Sequence, residues 1–338
     1  MWLYLTDLHL RSTPPRGRRD DFIAAIDAKM QRVAELCQEH QVELILCGGD
    51  LFHRPQPSYE TFLRAAGLIL ATGVPWLVVP GNHDMQYGQR ASADKTALGA
   101  LSELNIVAIP PEFSYSAAST GFIPRECSPS LNSELYHDED FLSNNPADLI
   151  KIAESGTTTI GNYSFGAIPY APGIEEKMRH GIPEAEVLVA HAMVTMNPFR
   201  SDYVLTAELA GSARLFLSGH YHPGFDVHER GETVFANPGA LTRLSRHQSD
   251  RCRTPQIALI DENNLAVRYV PVAELTEVFR EERRPAFVVP LGQNLNWFGD
   301  DLGDAEERLR QRCLEQEKGA ELWQVAKVFL EKARATTI

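Results

Sequence analysis

Apolar and polar positions fall into clear blocks along the N-terminal third of the chain. Residues 1–7, MWLYLTD, are a short apolar run of strand type. In residues 20–39, Phe22, Ile26, Met30, Val33 and Cys37 share one face at helical spacing, which predicts an amphipathic helix. VELILC (42–47) is closed by two glycines and reads as a buried second strand. Ser58 can cap a helix that runs to about Thr72 and stops at Gly73. VPWLVVP (74–80) is a third strand. The β-α-β-α-β order implies a layered α/β core with parallel pairing.

The pattern dissolves from about 110 to 160. This stretch is rich in Ser, Pro and Asn and reads as an inserted loop region with a short helix near 146–154. Strand signals return at 157–170, where Gly161-Asn162 suits a hairpin turn, and again at 186–194, 213–222 and 232–240. Residues 255–272 form two alternating runs around Asn263-Asn264, a second hairpin. The tail reads as helices over 304–317 and 320–334, separated by Gly319, with Asp304 and Glu307 at capping-box spacing. Leu322, Ala326, Phe329, Leu330 and Ala333 make one stripe, which either packs on its own domain or docks a partner helix.

The 338 residues are 43% hydrophobic and 23% charged, an ordinary soluble composition for one large domain with appendages or for two domains. No apolar run is long enough for a transmembrane helix, and the N-terminus lacks a basic segment and carries Asp7 and His9, so it reads as a first strand and not a signal peptide. Five scattered cysteines without a CxxC argue against a disulfide framework and a thiolate metal site, and suit a reducing cytoplasm. The net charge of −13 argues against a protein that coats nucleic acid through bulk electrostatics, but not against one that grips phosphate locally through metal ions. Two stretches offer local positive charge: Arg11, Arg16, Arg18 and Arg19, then Arg243, Arg246, Arg251 and Arg253. Each is either part of a phosphate track or a solvated basic loop.

The chemistry sits at the strand ends. TDLH carries Asp7 and His9, GGD carries Asp50, GNHD carries Asn82, His83 and Asp84, VAH carries His191, and GHYH carries His220 and His222. A lone histidine near a strand is most often a core or surface residue. Five such tails together point to the region beyond the carboxyl ends of the strands, where open α/β sheets bind ligands. Two Asp, one Asn and four His form a mixed nitrogen and oxygen donor set, better suited to Mn, Fe, Zn or Co than to Mg or Ca. Seven donors exceed what one ion takes and suit two ions sharing a carboxylate. Asp50, at the end of a buried strand, is the natural bridge.

The series DxH, GD, GNHD, H and GHxH, in order over residues 7–222, resembles the calcineurin-like metallophosphoesterases. The longer stretch GGDLFHRPQPS (48–58), with the DLHL opening and NPGALTRLS (237–245), resembles the SbcD-type nucleases of DNA double-strand-break repair. The resemblance implies a layered core of mixed β-sheets flanked by helices over 1–275, with 110–160 inserted, and a reduced cap or helical docking tail over 276–338. It implies one divalent ion on Asp7, His9, Asp50 and His222, and a second on Asp50, Asn82, His191 and His220. Manganese is the first expectation, with iron, zinc, cobalt or magnesium as alternatives. His83 would lie beside the scissile phosphate, oriented by Asp84, and His53 would reach the leaving oxygen; otherwise His53 is an exposed loop residue and Asp84 a helix cap. Implied partners are DNA, an SMC-like ABC ATPase of the SbcC type bound through the C-terminal helices, and a second copy of the chain, with no membrane. Two other readings compete with the nuclease: a small-substrate phosphoesterase acting on free or cyclic nucleotides, and a non-catalytic scaffold of the same fold.

Overall fold

The computed structural model describes residues 1–110, 150–152, 158–199, 202–211 and 213–280. The first elements follow the hydrophobic pattern: β1 (Trp2–Leu5), α1 (Phe22–Glu39), β2 (Leu44–Cys47), α2 (Tyr59–Leu70), β3 (Trp76–Val78) and a short α3 (Ala97–Glu103). Both long helices start where a side chain takes up free amides. Asp21 accepts from Ile23 N and Ala24 N, and Ser58 accepts from Thr61 N. Further along are β4 (Ile150–Ile152), β5 (Thr158–Ile160), β6 (Tyr163–Ile168), α4 (Ile174–His180), β7 (Val187–Ala192), β8 (Val194–Thr195) and β9 (Val204–Leu205). The last are β10 (Leu215–His220), β11 (Phe225–Arg230), β12 (Thr233–Asn237), α5 (Gln248–Arg251), β13 (Gln256–Ile260) and β14 (Val267–Pro271). Residues 150–152, expected in a short helix, are instead a strand antiparallel to β5, with Ile150 opposite Ile160. The two expected tail helices lie outside the described residues.

Two mixed sheets carry the fold. One has the order β14-β13-β1-β2-β3, parallel from β1 to β3 and antiparallel at β13 and β14. The other has the order β11-β12-β10-β7-β6-β5-β4, parallel through β12, β10, β7 and β6. Strand periodicity sorts the side chains into layers. Leu3 and Leu5 of β1 pack with Ile26, Met30 and Val33 of α1, and with Ala65 and Ile69 of α2. Trp2 and Tyr4 face the opposite way and meet Val187, Val189, Leu215 and Leu217 of the second sheet. The far face of that sheet is covered by Ile174 and Met178 of α4. The order is therefore helix, sheet, sheet, helix. Each fully buried leucine or isoleucine contributes about 1.5–3 kcal/mol. The parallel strands β1, β2, β3, β7 and β10 all point their carboxyl ends at one edge of this sandwich.

The loop after β12 is tied to that edge by cations buried inside the protein. Arg253 donates to the carbonyls of Ala240 and Thr242, Lys29 to that of Leu241 (2.9 Å), and Arg18 to that of Arg243 (2.8 Å). Leu241 N and Ala240 N in turn donate to Thr6 O and His222 O, both 3.0 Å. Five of the eight arginines in the two basic stretches are tied into the fold: Arg18, Arg243 and Arg253 are buried, and Arg19 and Arg251 bond Glu277.

Burial, helped by Arg18, Arg243 and Arg253, pushes the Lys29 ammonium from its ordinary 10.5 down to about 7, and Asp20 offsets only part of this. Between those values the unfolded chain binds a proton that the folded one has released, so stability rises with pH across that window. Urea denaturation at pH 7 and at pH 9.5 will show a gain on the order of 2 kcal/mol for the native chain. Lys29→Met will remove most of that gain; an undiminished gain in the variant would assign it to other groups.

Candidate metal centre

Six of the seven expected donors lie in turns or at the end of a strand on the shared edge, and His191 lies inside β7. Backbone pairing continues past the strand ends: Asp7 N bonds Gly49 O at 3.0 Å and His9 N bonds Asp50 O at 2.9 Å. Asp7, His9, Asp50 and His220 all have positive φ, between 47° and 71°. This left-handed backbone is uncommon for residues with a Cβ and concentrates at functional sites. Gly81 is required by close approach, because a Cβ there would stand 2.2 Å from Asp50 Oδ1. Gly49, at φ +100°, turns the chain under His191; its own Cβ would fall 2.5 Å from His191 Nδ1.

The seven donors converge as two groups that share one member. Asp7, His9, Asp50 and His222 have ligand atoms within 4.8 Å of one another, as do Asp50, His191 and His220. Asn82 joins the second group, with Oδ1 3.1 Å from His191 Nε2. Each carboxylate has one oxygen held and one left for the centre. Asp7 Oδ2 accepts from Thr6 Oγ1 (2.7 Å) and His220 N (3.0 Å), whereas its buried Oδ1 has no hydrogen-bond partner. Asp50 Oδ1 accepts from His83 N at 2.8 Å, and Asp50 Oδ2 lies 3.6 Å from His9 Nε2 and 3.5 Å from His191 Nε2. Asp50 is thus the residue common to both groups.

His53 and His83 complete a histidine stack beside these groups. Their rings are stacked with centroids 5.2 Å apart and an interplanar angle of 19°, and His9 meets both edge-on. His83 is oriented by the carbonyl of His53, 2.8 Å from its Nδ1, and not by Asp84 as expected. Asp84 is buried and accepts from the amides of Gly81, Leu51 and Phe52, so its carboxylate bolts the β3 turn to the β2 turn.

An open trough of about 330 Å³ lies over the centre, with Met193, Phe199 and Tyr221 on one wall. Phe199 packs edge-on against Tyr221 at 5.6 Å, and the Tyr170 ring lies 5.6 Å from His220. Sequence reasoning passes over these aromatic residues. Tyr221 stands between two donor histidines in GHYH, but Phe199 and Tyr170 carry no signal in their spacing.

The calcineurin-like phosphoesterase family model matches residues 3–224, well over half of the chain and every residue of this centre. The chain belongs to the calcineurin-like phosphoesterases. Solved structures that align with it include TT1561 of Thermus thermophilus, at 9% identity over 80% of this chain and 98% of that one (TM-score 0.43). Another is the calcineurin-like phosphoesterase YfkN from Bacillus subtilis, at 14% identity over 82% and 92% (TM-score 0.39). No curated protein matches the chain. Members of the family are metal-dependent hydrolases that use two divalent metals.

The residues present fit such a pair. The Nε2 atoms of His9 and His222 face each other at 3.0 Å, and His222 Nε2 lies 3.4 Å from Asp7 Oδ1. Separations near 3.0–3.5 Å are about what two donors show when each lies ~2.1 Å from one ion. His191 Nδ1 lies 2.6 Å from Gly48 O; a carbonyl only accepts, so Nδ1 holds the proton and Nε2 presents its lone pair to the centre. Electrostatics agree. Burial alone would raise Asp7 and Asp50, but the neighbouring imidazoles more than offset it and both carboxyls stay well below their ordinary range. Burial pushes His9 down to about 3 and His220 to about 4, leaving neutral imidazoles. Burial also acts on His191, yet Asp50 more than offsets it and pushes the ring up to about 9, so without an ion a proton sits on Nε2 and a bound cation would take its place. Asp50 thus stabilises positive charge beside it. Burial and the negative charge of Asp50 raise Asp84 to about 7. Among the described residues no helix is long and apolar enough to cross a membrane.

Proposed function

We propose that this phosphoesterase is a DNA nuclease, the hydrolytic subunit of an SbcCD-like repair and recombination complex. The observation that carries the reading is the place of His53. The histidine of GGDLFHRPQPS stacks on His83 at the margin of the donor cluster, and burial with Arg11 nearby pushes it down to about 4. A small-substrate phosphoesterase has no need of that loop at its centre, and a scaffold has no need of seven converging donors.

When bound, a pair of divalent ions, manganese by expectation, supplies Lewis-acid charge and a water of lowered pKa. Asp7, His9, Asp50 and His222 would hold one, and Asp50, Asn82, His191 and His220 the other. The chain's own groups do the rest. His83 donates from Nδ1 to the His53 carbonyl, so its Nε2 is left to take up a proton and, once it carries one, to donate to a phosphoryl oxygen of the substrate. His53, neutral and half-buried, stands beside it; its ring N–H can pass a proton to the departing sugar oxygen as the other ring nitrogen takes one from water, which leaves the ring neutral. Asp84 keeps the turns under both rings in register. The aromatic wall of Phe199 and Tyr221 offers a face to a nucleobase. The reading extends to a cytoplasmic location, an SMC-like ABC ATPase partner and a second copy of the chain, as the motif resemblance implies.

Purified protein incubated with end-labelled linear and hairpin DNA, with and without manganese, will cleave only with the metal. His53→Ser will slow that cleavage by about 10²-fold while still binding two equivalents of metal. Equal losses of metal and activity would make His53 structural. Hydrolysis of bis(p-nitrophenyl) phosphate without any cleavage of DNA would favour the small-substrate reading.

A further inference from the structure

A second cavity, of about 290 Å³, is lined by His53 and by none of the seven donors. Its position follows from the backbone. Leu10 pairs with Phe52 in a parallel bridge, with Leu10 N on Leu51 O at 2.9 Å and His53 N on Leu10 O at 3.1 Å. The turns that carry His9 and Asp50 therefore run on side by side, and each delivers an arginine to the cavity, Arg11 from one and Arg54 from the other. Ser12, Thr13, Ser58 and Thr61 line it as well, and no carboxylate among the described residues does. In a chain of net charge −13, a cavity with two guanidiniums and four hydroxyls but no acid is a selective arrangement.

The donors are also unspent. Arg54 makes no hydrogen bond or ion pair among the described residues. Arg11 bonds Thr13 Oγ1 through Nη2 at 3.2 Å, while its buried Nε and the buried Nδ1 of His53 have no partner. Two like charges held together without a counter-charge are unfavourable unless an anion joins them. Guanidinium and hydroxyl donors in one concavity match the tetrahedral oxygens of a phosphate.

We infer that this cavity binds the phosphate next to the scissile one on the same nucleic-acid strand. The inference rests on the nuclease reading and narrows it: the preferred substrate has at least two phosphates in series. His53 forms the wall between the two phosphate positions. Leu10 and Arg11 continue directly from a metal-ligand residue, so filling this cavity also holds the scissile linkage over the centre.

The test uses the full chain, manganese and short oligothymidylates cleaved at one linkage. In each, one neighbouring linkage is either an ordinary phosphodiester or an uncharged methylphosphonate, placed on one side or the other. In the native protein, neutralising the neighbour on one side will lower kcat/KM about tenfold. In Arg54→Gln the all-phosphodiester oligonucleotide will itself fall about tenfold, and the methylphosphonate will cost little more. Arg54→Lys will recover part of the loss. Independently of activity, chelator-treated native protein will bind a fluorescent oligothymidylate with a steeper salt dependence than chelator-treated Arg54→Gln. Independent, multiplying losses from the variant and the methylphosphonate, or identical salt slopes, would overturn the inference and leave the nuclease reading standing. Failure of the native protein to cleave any oligonucleotide while it hydrolyses bis(p-nitrophenyl) phosphate would overturn both.

Discussion

Asp50→Asn will leave a folded protein with at most a thousandth of the native phosphodiesterase activity and fewer than two bound metal ions. Losses of about 10–100-fold are typical when only an outer partner of a ligand is removed. Asp50 is placed to contribute to both groups of donors, through an oxygen 3.6 Å from His9 and 3.5 Å from His191, so the expected loss is on the order of 10³-fold or more. Asparagine keeps an oxygen for His83 N, so the β3 turn retains its anchor. It also removes negative charge beside Asp84, which burial and Asp50 together push up to about 7. The substitution also takes away the partner that pushes His191 up to about 9, so the metal-free fold is followed by comparing chelator-treated variant with chelator-treated native protein. Elemental analysis, activity and a melting curve on the same sample separate loss of metal from loss of fold. Full activity in this variant would remove Asp50 from the bridging position.

Metal will also stabilise the native chain strongly. The edge of the sandwich gathers four residues with left-handed backbone, a buried carboxylate oxygen without a hydrogen-bond partner, and two imidazole nitrogens facing each other at 3.0 Å. A cation bound among them relieves the last two and offsets the backbone strain. At a hundredfold excess over the dissociation constant each site adds about 2.7 kcal/mol, so two sites add about 5 kcal/mol. For a chain of this size that corresponds to a rise in melting temperature on the order of 10 °C. Differential scanning calorimetry with and without manganese will show the rise, and a chelator will reverse it. A midpoint that does not move with metal would mean that the donors do not act together.

The donor set is legible in the sequence because its members follow apolar runs that end in Gly or in short polar tails, a pattern visible without any tertiary knowledge. The first three strands and both long helices are legible for a related reason: each buries one regular face, as in Ile26, Met30 and Val33 of α1. Residues 150–152 mislead because PADLIKIAE has helix-favouring composition, and only pairing with β5 makes it extended. Strand β11, FDVHER, is half exposed with a bulge between Phe225 and His228, so it shows no clean alternation. Arg18 and Arg253 look like surface residues in the sequence because arginine is usually exposed. Their burial depends on carbonyls from residues 240–243, far away in sequence. Arg54 gives no signal of its own inside GGDLFHRPQPS, since nothing local announces that it shares a cavity with Arg11.

The left-handed backbone at Asp7, His9, Asp50 and His220 narrows what this centre can become. Aspartate, asparagine and histidine enter that conformation more readily than other residues with a Cβ, and they are also hard-to-borderline metal donors. Main-chain preference and coordination preference therefore choose from the same small alphabet. An engineer who tried to retune the site for a thiophilic ion by installing cysteines would meet resistance from the peptide backbone before the metal had expressed any preference.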